Sequence, residues 1–306
     1  MKVLVATEKP FAKAAINGIR EIVEQAGFSL VLLEKYTEKS ELLKAVADVD
    51  ALIIRSDKVT KDVVEAAKNL KIVVRAGAGY DNVDLEACSA RGIVVMNTPG
   101  QNSNAVAELA IGMMIFMSRN QFTSGTGREI SGKRLGIHAY GNIGRIVGRY
   151  AKALGMEIIA FDPYTSPEIF KEDNVKVVDT VEDLYSNCDF VSVHIPATEQ
   201  TKKMLNYSLL SQLPKGATIV NTARKEVVNE EDLVTLMSER EDIKYITDIA
   251  ADNQAELNEK FGKRVYATPK KIGAETAEAN INAGLAAARQ IVDFLVNGNT
   301  RFQVNK

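Results

Sequence analysis

Residues that crosslink a chain or bind metals are scarce in this sequence. Only two cysteines, Cys88 and Cys188, and two histidines occur among 306 residues. A single pair of cysteines in ordinary helix and strand-edge contexts is not a disulfide framework, so we expect both thiols to be reduced. Neither histidine has partners at metal-ligand spacing, and we therefore expect no bound metal.

Long apolar runs and an excess of charge are also absent. No apolar segment approaches the ~20 residues of a membrane span. Residues 1–6 predict a short strand followed by polar residues, not a secretory signal. The formal net charge of −2 provides no bulk attraction to nucleic acid or to an anionic membrane. We therefore expect a cytoplasmic protein in which any small acid is bound by local lysines and arginines.

The pattern of the chain predicts two α/β lobes. Short runs rich in valine and isoleucine alternate with amphipathic segments of helical length, which is typical of parallel sheets with right-handed crossovers. Two long helices, at about residues 102–118 and 274–297, interrupt this alternation. We predict two doubly wound parallel-sheet lobes joined by these linker helices. One lobe would comprise residues 1–98 and 281–306, and the other residues 99–280.

A glycine turn in the second lobe predicts a dinucleotide site. The segment Gly136-Ile-His-Ala-Tyr-Gly-Asn-Ile-Gly144 indicates a strand, a tight turn and a helix start. The helix start presents unpaired N–H groups and a positive dipole to a pyrophosphate. Gly141 would let the phosphates approach and Gly144 would let helix and strand pack, with Asn142 and Ile143 between them. The first glycine of the usual motif is replaced by Ala139.

An acidic residue indicates which dinucleotide binds. Asp162 ends the next predicted strand, 18 residues after Gly144. A carboxylate there accepts hydrogen bonds from the adenosine ribose and repels a 2′-phosphate, so the pair favours NAD over NADP. Taken alone, Asp162 is also typical of a turn before Pro163.

Further segments make the chain resemble the D-isomer-specific 2-hydroxyacid dehydrogenases. They are Arg75-Ala-Gly-Ala-Gly-Tyr-Asp-Asn-Val-Asp84, Val106-Ala-Glu108, Asp189-Phe-Val-Ser-Val-His-Ile-Pro196, Asn221-Thr-Ala-Arg224 and Thr276-Ala-Glu-Ala-Asn-Ile-Asn282. The resemblance extends from about Arg55 to Val304. It implies a flavodoxin-like substrate lobe, a Rossmann lobe that binds NAD, and hydride exchange with a small 2-hydroxy acid.

The resemblance also implies roles for individual residues. Arg224 would clamp the substrate carboxylate at two points, although a surface arginine is the alternative. The glycine loop after Arg75 would bind a carboxylate through backbone N–H groups around Ala78 and Gly79, with Asn102 nearby. The cofactor contacts implied by the family are Gly141, Asn142, Ile143, Gly144, Asp162, His194, Pro196, Thr201, Thr222, Ala223 and Asp248.

Within the family, some residues resemble members that act on a phosphorylated acid. These are Arg55-Ser56, which would bind the distal phosphate, Arg75-Ala-Gly77, and the closing Gly298…Val304-Asn305. The expected reaction is the oxidation of 3-phospho-D-glycerate to 3-phosphohydroxypyruvate, which opens serine biosynthesis. The sequence ends without a regulatory domain, so we expect no serine feedback through one. The alternatives are a hydroxypyruvate or glyoxylate reductase and a non-catalytic NAD-sensing protein.

One catalytic position departs from the family pattern. The family carries its proton-transfer histidine in Thr-Pro-His-Ile-Gly, whereas this chain reads Thr268-Pro-Lys-Lys-Ile-Gly273. Counting back from Gly273 places Lys271 at the histidine position, and counting forward from Thr268 places Lys270 there; we favour Lys271. Neighbouring positive charge would lower the pKa of this lysine from ~10.4, so we expect oxidation to rise steeply with pH.

The carboxylate that would orient a histidine is also changed. At the family spacing of five residues after Asp248 the chain has Asn253, and Asp252 lies one residue short. Whether Asp252 replaces the family glutamate is left open. His138, inside a strand, is more typical of a packed residue than of a proton carrier, and His194 of a cofactor contact.

The first linker helix predicts an assembly. Residues 102–118 are apolar on most faces, and a helix of this kind must be buried. The family resemblance implies a homodimer through this helix. Burial within one subunit is the alternative.

Overall fold

The computed structural model describes residues Met1 to Asn305 and divides them into two compact units. Unit 1 comprises Met1–Asn102 together with the chain from Glu275 onward, and unit 2 comprises Ser103–Ala274. The sequence pattern predicts a second lobe that ends at residue 280, whereas unit 2 ends at Ala274. The start of the last helix belongs to unit 1, where the Arg55 guanidinium donates a hydrogen bond to Asn280 Oδ1.

Strands and helices alternate along both units. The strands are β1 (Lys2–Thr7), β2 (Ser29–Glu34), β3 (Ala51–Ile54), β4 (Ile72–Arg75), β5 (Val94–Asn97), β6 (Arg134–His138), β7 (Glu157–Phe161), β8 (Lys176–Val177), β9 (Phe190–Val193), β10 (Thr218–Asn221), β11 (Lys244–Thr247) and β12 (Val265–Ala267). The helices are α1 (Lys13–Gln25), α2 (Lys39–Ala45), α3 (Lys61–Ala66), α4 (Leu85–Ala90), α5 (Ser103–Ser118), α6 (Asn142–Ala153), α7 (Pro167–Asp173), α8 (Val181–Asn187), α9 (Tyr207–Leu210), α10 (Glu230–Glu239), α11 (Gln254–Phe261) and α12 (Ala277–Asn297).

Unit 1 contains a five-stranded parallel sheet in the order β2-β1-β3-β4-β5, which is the flavodoxin-like order. All four residues of β3 are buried, because helices cover both faces of the sheet. α1 and α12 pack closely at two glycines: a Cβ on Gly18 would lie 2.5 Å from Leu285 Cδ2, and one on Gly284 would lie 3.1 Å from Ile19 Cδ1.

Unit 2 contains a seven-stranded parallel sheet in the order β12-β11-β10-β9-β6-β7-β8. Its first six strands in chain order have the Rossmann arrangement, and β12 extends one edge. Strand order reverses between β6 and β9, where ligands of such sheets bind. The predicted fold class, two doubly wound parallel sheets, is confirmed.

Helix α5 lies within unit 2, where it packs against α6 and β10. Most of its residues are buried there, and the exposed residues, Asn104, Glu108 and Gly112, form a stripe at four-residue spacing. The apolar composition of this helix is therefore accounted for largely by burial within one chain.

Both cysteines are free and fully buried. Burial raises the pKa of the Cys88 thiol to about 11 and that of Cys188 to about 12, so neither is a reactive thiolate near neutral pH. Between Met1 and Asn305, no helix is both long and apolar enough to cross a membrane.

Candidate active site

The turn after β6 forms an open helix start. Ala139 adopts φ 77°, a left-handed conformation that costs a residue with a side chain about 1–2 kcal/mol. Gly141 is the N-cap of α6, and no side chain caps the helix or places an acid in its first turn. The first N–H groups of α6 are therefore available to an anion.

The two glycines of this turn have different surroundings. A Cβ on Gly144 would lie 2.3 Å from the Ala139 carbonyl oxygen and 2.9 Å from Ile137 Cγ2, so only glycine allows the turn to close. A Cβ on Gly141 would meet nothing within 4 Å. The space beside Gly141 is therefore unobstructed, and Asn142 and Ile143 form the first turn of α6.

Alanine substitutions should separate these two roles. Gly144→Ala should destabilise the protein and weaken NADH binding, because the added methyl group collides with the turn. Gly141→Ala should leave the melting temperature nearly unchanged and still reduce NADH affinity at least tenfold, because its methyl group occupies the anion space. Thermal unfolding and fluorescence titration with NADH check this, and unchanged NADH affinity in Gly141→Ala would contradict the assignment.

Asp162 organises the turn as well as facing solvent. Its Oδ2 accepts hydrogen bonds from Tyr140 N (2.8 Å) and Thr165 Oγ1 (3.0 Å), and Oδ1 accepts one from Tyr164 N (2.8 Å). The side chain is half-buried at the end of β7. A carboxylate accepts about four hydrogen bonds, so Asp162 retains capacity for a ribose hydroxyl.

The two histidines are neutral at physiological pH. His138 is 2% exposed, its Nδ1 lies 3.2 Å from Tyr185 Oη, and burial lowers its pKa to about 4. His194 follows β9, where its Nε2 lies 2.9 Å from Ser192 Oγ and its Nδ1 3.4 Å from Thr222 Oγ1. Burial lowers the pKa of His194 to about 3. Both rings are therefore poor proton carriers at neutral pH.

His138 should make the fold sensitive to acid. Its pKa in the folded protein lies below the value of about 6.5 in the unfolded chain, so the stability it supports is present above pH 6.5 and is lost as the pH falls toward 4. This loss should reach about 2–3 kcal/mol between pH 7 and pH 4.5. Urea unfolding at both pH values measures the free energy of unfolding. Its decrease from pH 7 to pH 4.5 should be smaller by that amount in His138→Asn than in the wild type. An equal decrease in both proteins would contradict the prediction.

The Arg224 turn is built by an asparagine. Asn221 Oδ1 accepts a hydrogen bond from Ala223 N (3.0 Å), and Asn221 Nδ2 donates to Arg224 O (3.0 Å). The half-buried Arg224 guanidinium donates to Ala223 O (2.8 Å), and no ion pair within residues 1–305 involves it. Its remaining N–H groups are suited to a carboxylate ligand.

The lysine loop lies between β12 and α12. Lys270 and Lys271 are exposed. On either side of them, Thr268 Oγ1 (3.0 Å), Ile272 N (2.9 Å) and Gly273 N (2.8 Å) all donate to the carboxylate of Asp248. The loop is therefore held at both ends by one buried acid.

Asp252, considered above as a replacement for the family glutamate, is well exposed and forms an ion pair with Lys225, the residue after Arg224. The hydrogen bond to Asp252 raises the pKa of Lys225. The loop after β9 is closed by Thr201, whose Oγ1 donates to the Pro196 carbonyl oxygen and accepts from Thr198 N (2.8 Å).

In unit 1, the Arg55 side chain joins three segments. Its guanidinium donates to the carbonyl oxygens of Lys9 (3.1 Å) and Pro10 (3.3 Å) and to Asn280, and it lies 5.2 Å from the ring centroid of Phe11. Ser56 beside it is exposed. Arg55 therefore has a structural role, with N–H groups left for a further anion.

Arg75 lies beside Arg55 on the neighbouring strand. Arg75 Nε donates to Arg55 O (3.1 Å), and its guanidinium lies over Gly77, where a Cβ would meet Arg75 Nη1 at 1.4 Å. Asn97 Nδ2 donates to Ala78 O (2.6 Å), which fixes the glycine loop. The loop thus presents a guanidinium together with its exposed backbone at Ala78 and half-buried Gly79. Half-buried Asn102 ends this segment of unit 1.

Several residues that build these sites were not identified from the sequence. Asp57, 4% exposed, accepts hydrogen bonds from Glu8 N (2.8 Å), Tyr36 Oη (2.8 Å) and Arg55 N (3.2 Å). Asn82 Nδ2 donates to Arg55 O (3.2 Å) and Asp57 O (2.7 Å). The position of Asp57 just after β3 was the available signal, but most of the partners of Asp57 and Asn82 lie more than 20 residues away in sequence.

Comparison with known proteins identifies the family. The model of the D-isomer specific 2-hydroxyacid dehydrogenase NAD-binding domain matches residues 108–270. D-3-phosphoglycerate dehydrogenase of Methanocaldococcus jannaschii is 35% identical over 95% of this chain, which spans 57% of that protein. Hydroxypyruvate reductase of Thermotoga maritima is 38% identical over 86% of this chain and 90% of its own length.

A solved structure extends the match. The NAD⁺-bound 3-phosphoglycerate dehydrogenase of Entamoeba histolytica is 50% identical and superimposes with a TM-score of 0.87, covering 100% of this chain and 99% of that one. Because the family model covers more than half of the sequence, and the Thermotoga relative is matched along most of its length, the chain belongs to the D-isomer-specific 2-hydroxyacid dehydrogenases and carries their NAD-binding domain.

Proposed function

We propose that this protein catalyses the reversible, NAD-dependent oxidation of 3-phospho-D-glycerate to 3-phosphohydroxypyruvate, the first step of serine biosynthesis. The observation that carries the proposal is the 50% identity with the Entamoeba 3-phosphoglycerate dehydrogenase over nearly its whole length. The two neighbouring arginines at the carboxyl edge of the unit 1 sheet, Arg55 and Arg75, support a doubly anionic substrate.

The residues of unit 2 would perform the proton chemistry. Arg224 would hold the substrate carboxylate through its guanidinium. Neutral Lys271 Nζ would accept the proton of the 2-hydroxyl as the C2–H bond breaks, and in the reverse direction the ammonium would donate that proton to the ketone oxygen. Lys270 is the alternative proton carrier.

Unit 2 also has the features that NAD requires. The open first turn of α6 beside Gly141 would bind the pyrophosphate, and Asp162 would accept a hydrogen bond from the adenosine ribose. Bound NAD⁺ supplies the hydride acceptor for C2. His194 and Thr222, bonded to each other at the ends of β9 and β10, together with Pro196, Thr201 and Ala223, would line the cofactor.

A second candidate function is the reduction of unphosphorylated 2-oxo acids. The 38% identity with the Thermotoga hydroxypyruvate reductase over 90% of that protein favours it. The guanidinium of Arg55 already donates to three oxygens of its own unit, which is a structural role that does not require a phosphate.

The substrate assay separates these candidates. NADH oxidation should be measured with 3-phosphohydroxypyruvate, hydroxypyruvate, glyoxylate and 2-oxoglutarate. We expect kcat/KM to be highest for the phosphorylated acid, and this preference should fall in Arg55→Ala. Turnover of only the unphosphorylated acids would support the reductase instead. NADH binding without turnover would indicate an NAD-sensing protein.

The oxidation rate should rise steeply with pH. A lysine must be deprotonated to act as the base, so kcat/KM for oxidation should increase across the range from ~7 to ~9.5, while reduction is favoured near neutrality. Steady-state rates in both directions at constant ionic strength test this. A flat profile over that range would exclude a lysine as the base.

We also propose a homodimer and a cytoplasmic location. The dimer rests on the family resemblance, because the apolar faces of α5 are largely buried within unit 2. Sedimentation equilibrium of the wild type and of Gly112→Arg, on the exposed stripe of α5, should show a dimer that the substitution weakens. A monomeric wild type would reject this proposal.

A further inference from the structure

A buried acid lies at the end of β11. Asp248 is 1% exposed. Its Oδ1 accepts hydrogen bonds from Thr268 Oγ1 (3.0 Å) and Ile272 N (2.9 Å), and its Oδ2 accepts one from Gly273 N (2.8 Å). Hydrogen bonds to an ionised carboxylate are about twice as strong as neutral ones, so these three contacts fix the segment firmly.

The bonded residues flank the two lysines. Thr268 precedes and Ile272 follows the Lys270-Lys271 pair, so the carboxylate binds both ends of the loop that carries them. Thr268 Oγ1 also donates to the backbone carbonyl oxygen of Asp248 (2.8 Å). A Cβ on Gly273 would lie 2.8 Å from Asp248 Oδ2, so a glycine is needed for this approach.

The same residue is bonded to the arginine turn. Asp248 N donates to Asn221 O (3.0 Å), and the Asn221 side chain holds Ala223 N and Arg224 O. A continuous series of hydrogen bonds therefore runs from the Arg224 turn through Asn221 and Asp248 to the lysine loop. All of these residues belong to unit 2.

We propose that Asp248 is a positioning residue that holds the Lys270-Lys271 loop in register with the Arg224 turn. Three acceptor positions of its carboxylate are used within the protein, and the side chain is almost fully buried, so the bonds that hold both ends of the loop are shielded from water. The inference rests on the proposed function insofar as a lysine and Arg224 act on the same substrate.

The test begins with Asp248→Asn. The amide has nearly the same size, but its NH₂ group opposes a backbone N–H and cannot accept from it. We expect kcat to fall about 100-fold, because a displacement of about 1 Å of a catalytic group has an effect of that order. NADH affinity should stay within about threefold of the wild type.

Two substitutions of Thr268 provide a matched pair. Thr268→Val removes the hydroxyl bonds to Asp248 and should lower kcat in the same direction by about tenfold, whereas Thr268→Ser retains the hydroxyl and should restore most of the rate. This pair decides the question if Asp248→Asn fails to fold. If Asp248→Asn loses more than tenfold in NADH affinity and keeps its kcat at saturating NADH, Asp248 is a cofactor contact and the proposal is overturned. Unchanged kinetics in every variant would also overturn it.

Limited trypsin digestion of the full chain tests the loop without relying on activity. Cleavage after Lys270 and Lys271 should be faster in Asp248→Asn than in the wild type, while cleavage after the exposed Lys202 and Lys203 should be equal in both. If the variant and the wild type are cleaved at equal rates after each of the four lysines, the positioning role is overturned. If the wild type turns over no 2-oxo acid, the proposed function fails separately, and the digestion still decides whether Asp248 holds the loop.

Discussion

Replacing Lys271 with alanine should reduce kcat in both directions by about two to four orders of magnitude, the usual contribution of a general acid–base residue. The side chain is exposed and lies between the Thr268 hydroxyl and the Ile272 N–H, both of which donate to Asp248. NADH affinity should remain near the wild-type value, because the role proposed for Lys271 is proton transfer to and from the substrate. Stopped-flow single-turnover rates with 3-phosphohydroxypyruvate, together with an NADH titration, measure both effects.

The adjacent lysine is the matched control. Lys270→Ala removes the same charge from the same loop and should reduce the rate only a few-fold. Ethylamine added to Lys271→Ala should recover part of the lost rate, because a free amine can occupy the space of the deleted side chain. Lys271→His, which restores the residue of the family pattern, should be active with a pH profile displaced toward lower pH, since free histidine titrates near 6.5. If Lys270→Ala is the slower variant, the proton carrier is Lys270.

The fold could be predicted from sequence because its signals are local and repeated. Most buried strands are short runs rich in branched aliphatic residues, and most are followed by a helix that crosses back over the sheet. Even the weakened glycine motif was informative, because Gly144 is required by the 2.3 Å approach of the Ala139 carbonyl oxygen. Ala139 departs from the motif and nevertheless adopts the positive φ that glycine would normally supply.

The roles of several polar side chains could not be predicted in this way. Arg55 contacts Asn280, which is 225 residues away in sequence, and this contact exists only once α12 has packed on the sheet. Asp162 was expected to face a ribose, and it also accepts a backbone N–H from Tyr140, 22 residues earlier. Such contacts depend on the assembled ends of neighbouring strands, and no sequence spacing encodes them.

Asp248 illustrates the same limit within the candidate site. The family resemblance assigned it to the cofactor, and its position at the end of β11 agrees with that expectation. Its bonds to Thr268, Ile272 and Gly273 depend on the pairing of β11 with β12, which brings the lysine loop to the end of β11. A residue at the carboxyl end of a parallel strand is therefore able to organise a site by binding the neighbouring loop.

Arg224→Lys should lower kcat/KM for 2-oxo acids by about 100-fold although it retains the positive charge. The guanidinium fork offers two parallel N–H groups to a carboxylate, whereas an ammonium binds as a point charge. Loss of one charge-assisted hydrogen bond and its geometry corresponds to about 3 kcal/mol, or about two orders of magnitude in rate. The Asn221 bonds that shape the turn involve only backbone atoms of Ala223 and Arg224, so the lysine variant should fold normally.

The controls for this substitution test the carboxylate directly. Arg149→Lys, an exposed arginine on α6 in the same unit, should leave kcat/KM unchanged. Dihydroxyacetone has the structure of hydroxypyruvate with a hydroxymethyl group in place of the carboxylate. It should therefore be a poor substrate of the wild type, and its kcat/KM should fall little further in Arg224→Lys. An equal penalty for both compounds would mean that Arg224 acts on the reacting carbonyl or on the fold and not through the carboxylate. A penalty confined to the acid would identify the guanidinium fork as the group that orients C2 toward the cofactor.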